Sequence, residues 1–177
     1  GKAFARSLAA PASRLLMPRQ VGVGVPGGCE AIVHAVREVV STHGEDPRHC
    51  LLKTDFSNAF NRVSREAFLG AVHRHFPGLA RWAESTYCTA GRLAFGDATI
   101  PSLCGVQQGD PLGPLLFCLV LRQLSEQLHR ALPQLLFHGW YLDDGALIGT
   151  PRQLLEAIRL IRQRGPELGL HLKPPKI

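Results

Sequence analysis

Trp140-Tyr141-Leu142-Asp143-Asp144-Gly145-Ala146-Leu147-Ile148 sets two adjacent carboxylates between two apolar runs. Apolar flanks favour burial, and two like charges beside a core are costly unless a cation neutralises them. A divalent metal ion answers that need. It directs attention to a third carboxylate and to a polyanionic substrate. The stretch reads as a β-hairpin, Gly139 to Gly149, with Asp144-Gly145 as its turn signal. Side chains alternate across a strand, so Asp143 and Asp144 are expected to be inequivalent, one ligating directly and the other contributing from the turn. In isolation, Asp-Asp-Gly is more often a solvated turn than a metal site.

The third carboxylate is Asp55. Cys50-Leu51-Leu52-Lys53-Thr54-Asp55 is a short apolar run ending in a charge, read as a strand with Asp55 at the sheet rim. Only the fold can bring Asp55 to the Asp143-Asp144 pair. Three such carboxylates suit two metal ions held about 3.5–4 Å apart, which clamp the attacking and leaving oxygens of a phosphoryl transfer. A further signal lies between them. Gln107-Gln108-Gly109-Asp110-Pro111-Leu112-Gly113-Pro114 is a rigid polar loop feeding an apolar helix. Its glycines and prolines suit close approach of a nucleotide or base pair.

The 177 residues fit one domain or a large piece of a bigger protein, and 45% hydrophobic content supports a real core rather than disorder. A formal net charge of +6, dominated by Arg, favours polyanionic partners. Cys29, Cys50, Cys88, Cys104 and Cys118 form no CxxC pair, and His73-x-His75 is the one close histidine pair, so no zinc constellation is present. Isolated thiols in a reducing compartment are the expectation. No apolar run reaches membrane-spanning length, and no membrane partner is expected. The first seventeen residues are basic, lack acids and faintly resemble a transit peptide. Both ends look cut, so the chain reads as a portion of a larger protein.

Hydrophobic periodicity predicts helices over Lys2–Leu16 and Cys29–Val40, joined by a Gly-rich loop over Val21–Gly28. Ser64 is a plausible N-cap for a helix from Arg65 to about His75. Pro77-Gly78 breaks that helix, and Leu79–Thr86 forms another. Arg92–Ser102 reads as a hairpin turning at Gly96-Asp97. Pro111–Leu132 begins as a loop and becomes a long helix, Arg152–Arg164 is a helix, and Leu168–Leu172 is a final short strand. Gly22-x-Gly24-x-x-Gly27 matches a dinucleotide fingerprint formally, but no strand precedes it and Pro26 interrupts it, so that reading is rejected. Arg159, Arg162 and Arg164 read as a solvated helix face.

Four of these stretches carry a family resemblance. Asp55-Phe56-Ser57-Asn58-Ala59-Phe60-Asn61 resembles motif A of reverse transcriptases, Gln108 to Pro114 motif B, and Tyr141-Leu142-Asp143-Asp144 the YxDD box of motif C. Gly169 to Lys176 is similar to motif D of the non-LTR retrotransposon and group II intron branch. Gln20-Val21-Gly22-Val23-Gly24 resembles a fingers segment of the same branch. Each box alone is weak, but four in order over nearly the whole chain form a strong signal.

The resemblance implies an α+β fold: a polymerase palm of three or four antiparallel strands packed on helices over residues 50–177, with partial helical fingers over residues 1–49 and no thumb. It implies an RNA-directed DNA polymerase of a retrotransposon that joins a dNTP to a primer 3′-OH. Asp55, Asp143 and Asp144 would hold two Mg²⁺ ions, or Mn²⁺ in their place, with the Phe56 carbonyl as a further ligand. Phe60 would be the steric gate against a ribose 2′-OH, and Gln108 and Gly109 would border the nascent base pair. Gln20, Gly24 and Tyr141 would contact template or primer. Lys176 would donate a proton to pyrophosphate. The partners implied are an RNA template, a DNA or RNA primer and dNTPs, in an intracellular setting, the nucleus for a eukaryotic element.

Departures from the family pattern are Gly113 where Ser is usual and Lys173 where Asn is common. Basic upstream fingers residues, the primer grip and the thumb fall outside the chain, which predicts weak or no activity for this portion alone. Two other readings stay open on the residues: an RNA-directed RNA polymerase, which Phe60 argues against, and a decayed or co-opted palm that binds RNA or protein without catalysis.

Overall fold

The computed structural model describes residues 2–173. Its elements are α1 (Lys2–Leu16), α2 (Gly28–His43), β1 (Cys50–Thr54), α3 (Ala59–Arg62), α4 (Arg65–His75), α5 (Pro77–Tyr87), β2 (Gly91–Phe95), β3 (Ala98–Ser102), α6 (Gly113–Ala131), β4 (Phe137–Tyr141), β5 (Asp144–Gly149) and α7 (Pro151–Arg164). The class is α+β, as the sequence predicts. One antiparallel sheet runs in the order β1-β5-β4, and β2-β3 forms a separate hairpin.

Local chemistry sets most boundaries. The Ser64 hydroxyl accepts from the Ala67 N–H and caps α4. Pro77 opens α5 rather than merely ending α4, since a proline at the first helical position has no amide that needs a partner. Thr150 and Gln153 form a reciprocal capping box at the start of α7.

Helix α6 is the centre of the molecule. Leu115, Leu116, Phe117, Cys118, Leu119, Val120 and Leu121 are all buried. A helix apolar on every side must be covered on every side. Helices α1, α3, α4 and α7 supply that cover. Ala12 and Leu16 of α1 join the same cluster as Phe68, Leu124 and Leu147, so the core is continuous across residue 49. The middle strand β5 is buried from Gly145 to Gly149. Helix α2 lies against β4. Among the described residues no helix is long and apolar enough to cross a membrane.

Two expectations are corrected. Leu168–Leu172 is not a strand: Pro166–Leu168 is a 3₁₀ turn, and only Leu172 bridges to Phe56. Pro166 fixes the turn, and Gly169 exits it at φ 76°. The β4–β5 hairpin turns at Leu142-Asp143, not at Asp144-Gly145, because Tyr141 pairs with Asp144 and Trp140 with Gly145.

Candidate active site

Sheet register brings the three carboxylates together. Thr54 lies opposite Gly145 in the β1–β5 ladder, so Asp55, one residue past β1, emerges beside Asp144 at the start of β5. Asp143 occupies the adjoining turn. Beneath them the buried rings of Phe56 and Trp140 stack at 5.7 Å and 15°. The segment after the 3₁₀ turn closes the other side. Ser57 donates to the His171 carbonyl, and the Lys173 N–H donates to that of Asp55. Among the described residues no hydrogen bond is made to the carbonyl of Phe56.

The electrostatics match this convergence. Asp143 is half-buried, and its carboxyl is pushed above the usual range, first by burial and then by the charges of Asp144 and Asp55. Asp144 is exposed. The two are inequivalent, with Asp143 the turn residue and Asp144 the strand residue. The Lys173 ammonium donates to Asp55 Oδ2 at 2.5 Å. That hydrogen bond, followed by the fields of Asp55, Asp143 and Asp144, raises its pKa. Among the described residues no three acidic, His or Cys side chains stand close enough to chelate one ion as placed. Hard carboxylate oxygens are the donor type that suits Mg²⁺ or Mn²⁺, and the Lys173 ammonium seated on Asp55 shows that this group of carboxylates draws a cation. In donor chemistry the residues fit the metal.

The catalytic turn has an unusual backbone. Leu142 sits at φ 53°, in the left-handed region, which costs a residue with a Cβ roughly 1–2 kcal/mol. Gln20 holds it there. The Gln20 Nε2 donates to the Leu142 carbonyl at 2.9 Å, and Oε1 accepts from the N–H of Leu142 at 3.0 Å and of Gly22 at 2.8 Å. Residues 19–21 run beside β4, with Trp140 N–H donating to Arg19 and Val21 N–H to Trp140. Gln20 is 2% exposed. Its side chain therefore faces inward onto the turn rather than toward solvent. Gly24 is exposed at φ 70°, where a Cβ would meet the Ala9 carbonyl, so its glycine serves the crossing over α1. Tyr141 is partly exposed and lies beside Gly28.

A second network shapes the Gln107–Leu112 loop. The Tyr87 hydroxyl donates to Asp110 Oδ2 at 2.5 Å and accepts from the Gln107 N–H at 3.2 Å. Asp110 Oδ1 accepts from the Leu112 N–H. Arg65, 9% exposed, bonds to the Gly105 and Ser102 carbonyls, and its guanidinium lies 5.4 Å from the Tyr87 ring centre. Burial, and then the bond to Asp110, push the Tyr87 phenol well above its ordinary range, so it remains a donor. This frame presents Gln108 and Gly109 to solvent, with Gly109 at φ 84°. Phe60, in α3, stacks on Phe117 of α6 at 4.5 Å and remains partly exposed.

The structure thus gathers Asp55, Phe56, Asp143 and Asp144 at one end of the sheet. Lys176 lies outside the described residues. Sequence reasoning missed two participants: Lys173 was noted only as a departure, and Tyr87 was not singled out at all. The signal in the sequence is the Gly22-x-Gly24 spacing after Gln20, which marks a close approach of backbone segments.

Comparison with known proteins gives a consistent picture. A family model described as reverse transcriptase (RNA-dependent DNA polymerase) matches residues 2–177. The retrotransposable element SLACS 132 kDa protein of Trypanosoma brucei gambiense is 30% identical over 154 residues, which is 83% of this chain and 12% of that protein. The chain therefore spans a small part of that relative's length. Among solved structures, apo telomerase from Candida tropicalis superposes with a TM-score of 0.67 at 10% identity, over 97% of this chain and 35% of that one. Candida albicans telomerase in complex with a TWJ fragment of telomeric RNA gives 0.62 at 14% identity, over 96% of this chain and 34% of that one. At such identities the likeness is one of fold.

Proposed function

The chain belongs to the reverse transcriptase (RNA-dependent DNA polymerase) family, and from that membership we propose that it forms the nucleotidyl-transfer centre of a retrotransposon protein, extending a primer 3′-OH with dNTPs on an RNA template. The observation that carries this reading is the convergence of Asp55, Asp143 and Asp144 on one sheet end, where their charges act on one another and on Lys173. Asp55, Asp143, Asp144 and the Phe56 carbonyl would hold two Mg²⁺ ions. Bound there, the metal supplies Lewis-acid activation of the attacking oxygen and neutralises charge on the phosphates. The chain's own task is positioning. The β1–β5 register holds Asp55 beside Asp144, and the stacked Phe56 and Trp140 give the carboxylates a rigid floor. The exposed Gln108-Gly109 edge lies against the incoming base pair. Lys176 is the proposed proton donor to the departing pyrophosphate. An RNA template and a DNA or RNA primer are the partners, and an intracellular, nuclear setting accords with a eukaryotic element.

Primer extension on an RNA template in Mg²⁺, with dNTPs or NTPs, tests the reading. Extension with dNTPs alone is expected from the full-length protein. Equal use of NTPs would favour an RNA polymerase. Phe60→Ala opens the space over Phe117 and is expected to reduce discrimination against NTPs by about tenfold or more, measured as the ratio of kcat/KM values. An unchanged ratio would remove Phe60 as the gate.

Lys173 makes an ion pair with Asp55 that a metal must displace. Lys173→Ala is expected to tighten Mn²⁺ binding by roughly two- to fivefold, because exposed pairs are weak and screened. Calorimetric titration with Mn²⁺ measures this. Weaker binding in the variant would show that the lysine supports the site instead.

A further inference from the structure

We propose that Gln20 is a positioning residue for metal binding: its carboxamide locks Leu142 in the left-handed conformation that aims Asp143 at the site. The inference rests on the reading of Asp143 as a metal ligand and goes beyond it, since Gln20 touches neither metal nor substrate.

Four observations support it. Gln20 is buried, and all three of its side-chain hydrogen bonds go to the turn or to Gly22. Both backbone groups of Leu142 are taken by the one carboxamide, so the peptide units on either side of Leu142 are fixed, including the one that enters Asp143. Leu142 is one of only two non-glycine residues at positive φ among the described residues; a leucine in that conformation needs external support. Gly22 allows the approach, because a Cβ there would lie 2.6 Å from the Leu142 amide nitrogen and 2.7 Å from its Cδ2.

The chemistry selects glutamine. Oε1 faces two N–H donors and Nε2 faces a carbonyl, so only one orientation of the amide satisfies all three bonds. Glutamate cannot donate to the Leu142 carbonyl. Asparagine is one methylene too short to reach it from the same backbone position. The Leu142 side chain packs against the core in spite of the strain in its backbone. Aim and packing are thus divided between two residues far apart in sequence, and Gln20 supplies the aim.

The test compares wild type, Gln20→Ala, Gln20→Glu, Gln20→Ala/Leu142→Gly and Asp143→Asn in the full chain. Mn²⁺ affinity is read by electron paramagnetic resonance, alongside the Mg²⁺ concentration for half-maximal extension and the KM for primer–template. Gln20→Ala and Gln20→Glu are expected to weaken Mn²⁺ binding at least fivefold and to raise the Mg²⁺ requirement by a similar factor, with primer–template KM unchanged. Adding Leu142→Gly should restore most of the loss, because glycine adopts the left-handed region without support. Loss without rescue, or a change confined to thermal stability or primer–template KM, overturns the proposal. If Asp143→Asn abolishes Mn²⁺ binding while the Gln20 variants leave it unmoved, the metal reading stands and the inference fails. If Asp143→Asn leaves binding intact, the metal reading fails and the inference with it.

Discussion

Asp143→Asn is expected to cut primer extension by at least about a thousandfold while raising the thermal unfolding midpoint measured in chelator. The two effects share one cause. Asp143 is half-buried and faces Asp144 and Asp55, so its ionised form is disfavoured in the folded chain. Asparagine keeps the shape and removes the charge. A thousandfold loss corresponds to roughly 4 kcal/mol of transition-state stabilisation, a reasonable size for a ligand to a catalytic metal. The pH dependence follows from the sign of the shift. The folded chain binds the Asp143 proton more tightly than the unfolded chain does, so without metal its stability falls as pH rises from the ordinary value of 3.8 through the raised folded value. The asparagine variant should lack that part of the fall. Adding Mg²⁺ should stabilise wild type more than the variant, because a ligand that binds only the folded state shifts its midpoint. Unchanged extension by the variant would refute the assignment.

How far the sequence reveals this site depends on the range of each interaction. Ser64 and the apolar run from Leu115 to Leu121 act within a turn or a helix, and the structure places them as read. The carboxylates are legible as a group because three acids beside apolar strands are electrostatically improbable without a cation. The turn is not legible. Asp144-Gly145 has turn chemistry, yet that glycine is demanded by tertiary packing, and the turn falls instead on Leu142, a residue with poor local preference for it. Gln20 supplies what Leu142 lacks from 122 positions away, and no local rule connects them. The 3₁₀ turn at Pro166–Leu168 was missed for a related reason. Leu168, Leu170 and Leu172 alternate as a strand would, but Pro166 and Gly169 set the backbone before that alternation can matter. Lys173 shows a third kind of limit. It reads as a departure from a motif until the pairing of Leu172 with Phe56 sets it beside Asp55.

The glycine after the two carboxylates provides the other large effect. Gly145→Ala is expected to destabilise the fold by about 3 kcal/mol, the upper part of the range for overpacking a tight core, although its φ is one that any residue adopts in a strand. A Cβ at this position would lie 2.3 Å from Thr54 Oγ1 and 2.3 Å from Trp140 Cζ3. The indole has no room to retreat. Trp140 is fully buried and stacked on Phe56, and Thr54 is held in register opposite Gly145 by the β1–β5 ladder. The indole thus crosses the middle strand in the space a side chain would occupy. Relief must come from shrinking the indole. Trp140→Leu is expected to cost about 3 kcal/mol alone through the cavity it leaves. The double variant should be more stable than the sum of the two losses by at least about 1 kcal/mol, the signature of residues in direct contact. Chemical denaturation of the four proteins in the cycle measures this. Strict additivity would show that Gly145 is required for a reason other than the indole. Because Asp144 is the adjacent residue, any shift that accommodates the new methyl group also displaces a carboxylate, so the single variant should lose Mn²⁺ affinity in the fraction that remains folded. The Trp140→Leu background should recover part of it, which ties the packing beneath the sheet to the aim of the groups above it.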